Sequence, residues 1–448
     1  MRIALLLTLV LAACGGSSKT GDDGDDGPGG SDATPSMIDG GGVKSAPLGG
    51  KLFVYAIDNQ SGAAIANATV SVGTMSMTTD STGLASFSDP SLTGTVSVTV
   101  AASGHAMATW VGVAGANATI PLQPSQSTVP TASASGSFSL PDPSSLSHYT
   151  LAVVLYTFLD DPSAPENSLT QQPNSDGTTK NMCIYTAVSG SSTCNWNLVA
   201  RTGKQRHFAL ILDGNPNGTN DDPSDDTYDL VGYMVGDEVT LTSGQNMGGE
   251  SLHSVSATKT IHITSPSLPS GYNHVQAIPE LALGDAGRIV FPLPAIGASG
   301  TATVLDNSGD LAGDYAVVAI TSPSATVSLP YSGDFPTMVG DSVTLAGWLP
   351  APANLVGSGG TYTFSGADGA GFHSAQFTIG GNTVWTATVL DGSNSIALPA
   401  GVTTPLTGAA TFEVDAADVG DFDSTHFDIP TVKAALVRAS GASNSVTP

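Results

Sequence analysis

Short apolar runs separated by polar, turn-forming residues are the dominant pattern along this chain. Leu52 to Ile57 is a continuous apolar run, and Thr95 to Val100 alternates polar and apolar residues with a period of two. A period of two places successive side chains on opposite faces of a β-strand, and a short continuous apolar run fits a strand buried on both faces. Both segments are therefore predicted strands.

The same pattern continues to the end of the chain. Further predicted strands are Leu151–Leu159, Phe208–Leu212, Leu230–Met234, Thr301–Leu305, Tyr315–Ile320, Val343–Ala346, Tyr362–Phe364, Phe377–Ile379 and Val384–Leu390. Gly, Asn and Asp punctuate them and favour tight turns. No segment has a sustained helical period, and a single helical turn is predicted only at Glu280 to Leu283. We expect an all-β protein of tandem β-sandwich domains behind a disordered N-terminal tether.

The first residues follow a different pattern. Arg2 supplies a positive start, Ile3 to Leu11 form an apolar run, and Ala12 and Ala13 precede Cys14. The run is too short to span a bilayer and is typical of the core of a secretory signal. The small residues before the cysteine resemble the bacterial lipobox, which implies cleavage after residue 13 and lipidation of Cys14. An ordinary signal peptide followed by a chance cysteine is the alternative.

The lipobox resemblance implies a lipid anchor in the bacterial cell envelope. Gly15 lacks the Asp that retains some bacterial lipoproteins at the inner membrane, so the outer membrane is the expected location. Residues 14–50 are rich in Gly, Ser and Asp and bury almost nothing, which predicts a flexible tether with a span of roughly 30–35 Å. An Asp-rich cation site in this tether is the alternative.

Residues 51–124 carry the turn and core positions of a known domain. The run is Val54, Asp58, Ser61, Gly62, Ile65, Ala68, Val70, Thr79, Asp80, Gly83, Phe87 and Gly104. It resembles the carboxypeptidase regulatory-like domain, a transthyretin-like β-sandwich. The resemblance implies a structural or interaction role, with a weaker kinship to starch-binding-like sandwiches. An unrelated immunoglobulin-like sandwich is the alternative.

The remaining chain is predicted to form a Ser/Thr/Pro linker at 125–135, a second β domain at 136–294 and a C-terminal β domain at 295–448. If Cys14 is lipidated, as the lipobox resemblance implies, Cys183 and Cys194 remain to pair with each other in an oxidising envelope. Trp196, two residues beyond Cys194, is then expected to pack on the disulfide rather than to face a ligand.

Composition and charge limit the classes of molecule that the chain can be expected to bind. The 448 residues exceed one ordinary domain, and the net charge of −26 disfavours nucleic acid and anionic headgroups. Cations, neutral glycans and proteins remain as partners, and the lipid is the expected contact with the membrane.

Motifs for catalysis are missing from the sequence. No histidine is followed three residues later by glutamate, as the zinc motif of metallocarboxypeptidases requires, and neither HExxH, G-x-S-x-G nor GxxxxGK[ST] is present. Paired carboxylates of a glycoside hydrolase have no fixed spacing in sequence, so a hydrolase with such a site stays an alternative. We expect a protein without catalytic residues.

One acidic loop has the spacing of a metal site. Its D-x-N-x-N-G-x-x-D pattern begins at Asp213 and resembles calcium loops of the EF-hand, dockerin and integrin-propeller type. The implied Ca²⁺ ligands are Asp213, Asn215, Asn217, the Thr219 carbonyl and Asp221. Position twelve is Ser224 instead of a bidentate glutamate, which predicts weak affinity. A solvated acidic loop is the alternative.

The sequence thus favours an envelope-anchored, non-catalytic lipoprotein that acts as a binding or adhesion module for a glycan or a protein. The alternative is a structural spacer or envelope assembly factor without a small ligand. The four tryptophans distinguish the two: exposed, clustered indoles would favour glycan stacking, and buried, dispersed ones would favour the spacer. They are Trp110, Trp196, Trp348 and Trp385.

Overall fold

The all-β class is confirmed. A computed structural model of the protein describes residues 34–125, 131–156, 181–186, 192–217, 227–237, 239–242, 245–246, 252–255, 257–282, 288–290, 299–307, 311–323, 329–335 and 340–447. Within these ranges the chain forms 32 strands and one short helix. No helix in the described ranges has the length and apolar content of a membrane span. The proposed signal peptide and Cys14 lie outside the described residues.

The strands of the amino-terminal third are β1 (Gly42–Pro47), β2 (Gly49–Asp58), β3 (Thr69–Val72), β4 (Met75–Thr78), β5 (Leu84–Thr93), β6 (Val96–Ala101), β7 (Met107–Val113), β8 (Gly115–Leu122), β9 (Thr131–Ser139) and β10 (Tyr149–Tyr156). The middle of the chain adds β11 (Met182–Thr186), β12 (Thr193–Arg201), β13 (Gly203–Gln205), β14 (His207–Asn215), β15 (Thr227–Val235), β16 (Val239–Leu241), β17 (Gln245–Asn246), β18 (His253–Ser254), β19 (Thr258–Thr264), β20 (His274–Ala282) and β21 (Arg288–Val290). The last third contains β22 (Ser299–Leu305), β23 (Asp314–Ser322), β24 (Tyr331–Asp334), β25 (Ser342–Thr344), β26 (Ala353–Ser358), β27 (Thr361–Ser365), β28 (Phe372–Ile379), β29 (Asn382–Val389), β30 (Ser395–Ala397), β31 (Ala410–Val419), α1 (Ile429–Ala434) and β32 (Leu436–Val446).

The amino-terminal part is a two-layer β-sandwich. One layer is the sheet β1-β8-β2-β5, and the other is the run β7-β6-β3-β4 at the end of a twelve-stranded sheet. Both strands predicted here from the apolar pattern are present, as β2 and β6. Four of their side chains are fully buried in the core between the layers: Leu52, Val54, Val98 and Val100. Burial of such apolar surface is the main stabilising contribution of the sandwich.

The twelve-stranded sheet joins the two ends of the chain. Its order is β21-β20-β23-β24-β32-β31-β28-β29-β7-β6-β3-β4, and β29 pairs with β7 in parallel. At this joint the Trp385 indole Nε1 donates a buried hydrogen bond of 3.0 Å to Thr109 Oγ1. Around β28, β29 and β31 the sheet packs against the three-stranded sheet β26-β27-β30, with Phe377 and Phe412 in the core between them.

The middle of the chain forms another sandwich from the five-stranded sheet β11-β10-β14-β15-β18 and the sheet β12-β9-β17. Ala152, Ile211 and Trp196 lie in the core between these layers. On its opposite side the five-stranded sheet contributes Phe208 and Leu210 to a further core, which it shares with β19, β20, β22 and β23. The five-stranded sheet therefore packs on a neighbour on each of its faces.

The ordered body begins earlier than expected. The tether was predicted to extend to residue 50, but β1 pairs with β8, and Ile38 is buried. The Val43 amide also donates a hydrogen bond of 2.5 Å to the Phe427 carbonyl, so a segment near the end of the chain holds this one in place. This segment has only a few isolated apolar residues among Gly and Asp, so its local pattern does not predict that it packs against the body.

The predicted domain boundaries do not coincide with the divisions between sheets. Residues 131–135, expected in the linker, belong to β9, which pairs with β12 along its whole length. The boundary at residue 294 separates strands that pair with each other, because β19 pairs with β22 and β25, and β20 pairs with β23. Pairing between distant segments is the physical reason, since it leaves no local mark on composition.

Two assignments of helix need correction. Glu280 does not begin a helical turn: it lies in β20, opposite Ala316 of β23, and is 1% exposed. Pairing on both sides of β20 outweighs any local helical preference there. The helix α1 was not predicted, although Asp428 caps it by accepting a hydrogen bond of 2.9 Å from the Thr431 amide and Pro430 lies in its first turn. This cap and proline are a recognisable start signal.

Candidate functional sites

The proposed calcium loop begins at the end of β14, where Asp213 lies opposite Thr150 of β10 and Asp229 of β15. The Asp213 side chain is 6% exposed, and other groups of the protein already contact both carboxylate oxygens. The Ser144 amide donates to Oδ1 at 3.0 Å, the Ser144 hydroxyl donates to Oδ2 at 2.5 Å, and His148 Nδ1 lies 2.7 Å from Oδ2. Asp213 therefore fastens the loop between β9 and β10 to the end of β14.

These contacts also change the acidity of Asp213. Burial raises the pKa of a carboxylate, but the hydrogen bonds from Ser144 and His148 favour the charged form more strongly. The pKa of Asp213 is consequently lowered below its ordinary value. The charged carboxylate is the form that stabilises this corner of the sandwich.

The neighbouring ligand positions form a turn of their own. Asn215 Oδ1 accepts a hydrogen bond of 3.0 Å from the Asn217 amide, and Asn217 has a φ of 48°. Such Asn-mediated turns were expected from the turn-forming sequence. Thr219 and Asp221 lie outside the described residues, which contain no cluster of three or more metal-ligating side chains. Calcium binding stays a prediction, and it would require Asp213 to exchange hydrogen bonds for the ion.

Ser144, His148 and Asp213 are the three residue types of a hydrolytic triad, but their geometry differs from one. In a triad the serine contacts one imidazole nitrogen and the aspartate contacts the other. Here the Ser144 hydroxyl lies 2.9 Å from His148 Nδ1, the same nitrogen that faces Asp213. The serine also donates directly to the carboxylate, so this cluster is a structural clamp rather than a nucleophile with its base.

The predicted disulfide is confirmed. Cys183 of β11 and Cys194 of β12 are bonded, with their Cα atoms 5.5 Å apart. The bond links the edge of the five-stranded sheet to the facing sheet of the same sandwich. Trp196 is 2% exposed and lies in the core that contains Cys194, as expected for a packing role.

The tryptophans are dispersed among different cores. Trp110, Trp196 and Trp385 are each at most 3% exposed and belong to three separate cores. Trp348 is partly buried at the margin of a fourth. An aromatic platform for sugar stacking requires an exposed ring face, which three of these four side chains do not offer.

Carboxylates do come together on one face of the twelve-stranded sheet. Glu413 and Asp415 are two residues apart on β31, and the buried Tyr331 hydroxyl donates to Asp415 Oδ1 at 3.1 Å. Burial and the nearby Glu413 charge raise the pKa of Asp415 to about 8, against the smaller lowering effect of the Tyr331 hydrogen bond. Sequence analysis missed this cluster because Tyr331 is brought to β31 only by the intervening β32.

Two clefts lie where the amino-terminal sandwich meets the carboxyl-terminal one. The first has a volume of about 480 Å³ and is lined by His105, Ala106, Ser125, Asn382, Thr383, Val384 and Pro405. The second has a volume of about 540 Å³ and is lined by Val72, Gly73, Thr74, Met75, Asp89, Ser91, Leu92, Val96, Ser97, Ala397, Leu398 and Pro399. Neither lining contains paired carboxylates. His105 Nε2 lies 2.9 Å from Asp58 Oδ2, so this histidine is engaged in a contact within the amino-terminal sandwich.

Comparisons with known proteins give no family. No protein-family model and no curated protein matches the chain. Among solved structures, the native α-2-macroglobulin of E. coli is 11% identical, with 91% of this chain and 28% of that chain covered and a TM-score of 0.14. A tetra-tandem repeat from the extending region of a large adhesion protein is 11% identical, with coverages of 89% and 99% and a TM-score of 0.13.

The trypsin-activated α-2-macroglobulin of E. coli is 8% identical, with 92% of this chain and 32% of that chain covered and a TM-score of 0.14. This chain thus spans about a third or less of the length of the two macroglobulins. Likenesses with such TM-scores carry no argument about function.

Proposed function

We propose that the protein is a non-catalytic lipoprotein of the bacterial cell envelope that acts as a rigid spacer and presents its β-sandwich body to other envelope proteins. The observation that carries this proposal is the twelve-stranded sheet, in which β7 from the first sandwich pairs with β29 from the last third of the chain. Continuous hydrogen bonding and a shared core resist bending at this joint. A body of this kind suits a spacer better than a string of independent modules.

The tryptophans support a spacer over a glycan-binding module. Stacking on sugars needs exposed aromatic faces, whereas Trp110, Trp196 and Trp385 are buried in separate cores. Glycan binding therefore has no aromatic platform among these three side chains.

The two-layer arrangement of β1 to β8 is compatible with the proposed kinship to carboxypeptidase regulatory-like domains, whose members serve mainly as structural or interaction modules. It does not distinguish that family from other sandwiches. The proposal of a structural role rests on the sheet that joins this sandwich to the rest of the body.

The anchor is tested by expressing the full-length chain in a bacterium that processes lipoproteins. We expect the wild-type chain in the membrane fraction and the Cys14→Ser variant released from it after a high-salt wash, because lipid is the proposed membrane contact. Retention of the variant on membranes would contradict the anchor.

The spacer role is tested by screening the purified chain against glycan arrays and against envelope protein extracts with cross-linking. We expect cross-links to envelope proteins and no saturable glycan binding. Saturable binding to a defined glycan, lost on mutation of surface residues around one site, would contradict the spacer role and support an adhesion module.

Calcium binding at the acidic loop is proposed separately. Without the bidentate glutamate the expected Kd is about 10⁻⁴–10⁻³ M, so five to ten times that concentration should stabilise the fold by roughly 1 kcal/mol. Melting curves with Ca²⁺ and with EDTA measure the difference, and Mg²⁺ at the same ionic strength is the control. Coincident melting curves would contradict calcium binding, and the Asp213 carboxylate would then act only through its hydrogen bonds.

A further inference from the structure

The strand β11 is the edge of the five-stranded sheet and is unusually apolar for such a position. Among the described strands it has a neighbour, β10, on one side only. Met182 is 54% exposed and Ile184 is 63% exposed, although both are large apolar side chains. Natural proteins usually protect edge strands with charges, prolines or bulges, and β11 itself carries none of these.

The register shows which backbone groups of β11 are open. The Val154 amide donates to the Asn181 carbonyl at 2.7 Å, so Asn181 and Val154 form a hydrogen-bonded pair of the antiparallel ladder. Hydrogen-bonded and non-hydrogen-bonded pairs alternate along such a ladder. The amides and carbonyls of Met182 and Ile184 therefore point away from β10, on the open side of the strand.

The exposed side chains continue onto the face of the sheet. Ile184 lies opposite Leu151, which lies opposite Leu212, which lies opposite Leu230, so one row of apolar side chains crosses four strands. Leu151, Leu212 and Leu230 are only partly buried. The neighbouring row ends in Tyr228, which is 38% exposed. This apolar row is exposed at its β11 end and packs against a core at Leu230, and an apolar surface that opens at a sheet edge favours an interaction site there.

The edge is also held in a fixed position. Cys183 lies between the two exposed residues and points inward, where its disulfide to Cys194 ties β11 to the facing sheet. A strand that is already extended and anchored loses little conformational freedom when another strand pairs with it. The disulfide therefore holds β11 in the position in which another strand can pair with it.

We infer that β11 is a docking edge for an extended segment of another protein, which pairs with Met182 and Ile184 and carries apolar and basic residues at alternating positions. The open backbone groups require an extended strand, and the exposed side chains require apolar residues on one of its faces. The basic residues follow from charge, because the chain has a net charge of −26 and β11 itself contains no lysine or arginine that would repel them. The same charge disfavours a second copy of this chain as the occupant.

The inference extends the proposed function by naming the chemistry of a protein partner, and its test in solution does not depend on membrane anchoring. The probe is a fluorescent ten-residue peptide that alternates valine and lysine, titrated into the full-length chain. We expect saturable binding and slower hydrogen exchange of the Ile184 amide in the complex. The same peptide with N-methyl groups on the residues that pair through their amides should bind at least tenfold more weakly.

The protein variant is Met182→Ser with Ile184→Ser, which removes the apolar contacts without changing the charge. It should weaken peptide binding at least tenfold. The matched control is Met37→Ser with Val356→Ser, which removes two exposed apolar side chains elsewhere, of 38% and 56% exposure, and should bind like the wild type. Circular dichroism and melting curves check that both variants fold.

Three outcomes would overturn the inference. Equal binding of the N-methylated peptide would show that backbone pairing is not involved. Equal loss in both double variants, or none in either, would show that binding is not at β11. A concentration-dependent dimer that the Met182→Ser, Ile184→Ser variant abolishes would make a second copy of this chain the occupant.

Discussion

The Tyr331 hydroxyl and the Asp415 carboxylate meet across a residue that has no side chain. Gly441 of β32 lies between them, opposite Tyr331 on one side and Asp415 on the other, and the hydrogen bond that spans it is 3.1 Å long. A Cβ atom on Gly441 would overlap both Asp415 Oδ1 and the Tyr331 ring. The contact therefore depends on glycine for space rather than for backbone freedom.

The first prediction is that Gly441→Ala destabilises the fold by about 1–3 kcal/mol, the usual cost of overpacking a tight interior site. Gly408→Ala is the control, because a Cβ atom there meets nothing within 4 Å. Urea unfolding monitored by tryptophan fluorescence measures both variants. Equal stability of the two would show that β32 shifts to make room.

The second prediction concerns the pH dependence produced by Asp415. Because its pKa rises from 3.8 to about 8 on folding, the folded state holds this proton more tightly than the unfolded state does. The stabilising contribution is complete below about pH 4 and is lost as the pH rises towards 8.

The Asp415→Asn variant has no titratable carboxyl group at this position, so its stability should depend less on pH. We expect its urea midpoint to change less between pH 5 and pH 9 than that of the wild type. Asp368→Asn, at an exposed aspartate, is the control and should follow the wild-type curve. A wild-type midpoint that does not fall over this interval would contradict the raised pKa.

The third prediction concerns Asp213, whose pKa shift has the opposite sign. Its lowered pKa means that the charged carboxylate stabilises the folded state above about pH 4 and that this contribution is lost as the pH falls below it. Asp213→Ala should cost about 1–3 kcal/mol at pH 7, since Ser144 and His148 lose a buried acceptor.

Chemical unfolding at pH 7 and at pH 3 tests this. The difference between wild type and Asp213→Ala should shrink at pH 3, because the unfolded wild-type chain then takes up a proton at Asp213 that the folded state binds less readily. Asp229→Ala, which removes the exposed aspartate opposite Asp213, should have little effect at either pH. A difference independent of pH would assign the loss to packing alone.

The fourth prediction is that the Cys183→Ala, Cys194→Ala variant is about 3 kcal/mol less stable than the wild type, as expected for a disulfide that closes a loop of this size. Reduction of the wild type should cause a similar loss, and the same reductant should leave the variant unchanged. Differential scanning calorimetry gives both values. Free thiols at Cys183 and Cys194 in the unreduced, denatured chain would contradict the bond.

Much of the local structure follows from local sequence. Leu52 to Ile57 lies within β2 because an unbroken apolar run can be satisfied only by burial on both faces. The turn at Asn215 and Asn217 likewise follows from side chains that bond their own backbone. Such features depend on residues only a few positions away, so they can be predicted from the local sequence pattern.

The candidate sites depend on contacts that no local pattern contains. Asp213 resembled a calcium ligand from its spacing, yet in the folded chain its oxygens face Ser144 and His148, which precede it by 69 and 65 positions. The joint between Thr109 and Trp385 spans 276 positions. Any one of several apolar strands could have paired there, and the choice is made by packing across the whole body.

The pairing of β7 with β29 also determines when the first sandwich can be completed during synthesis. Its core includes Phe427, whose ring packs edge-on against Trp110 with the centroids 5.4 Å apart. This core therefore cannot close until Phe427 has been synthesised, long after Trp110, and such long-range closure makes folding slow. Until Phe427 is in place, Trp110 and the edge of β7 that pairs with β29 lack their partners, which exposes apolar surface and a free strand edge of the kind that promotes aggregation.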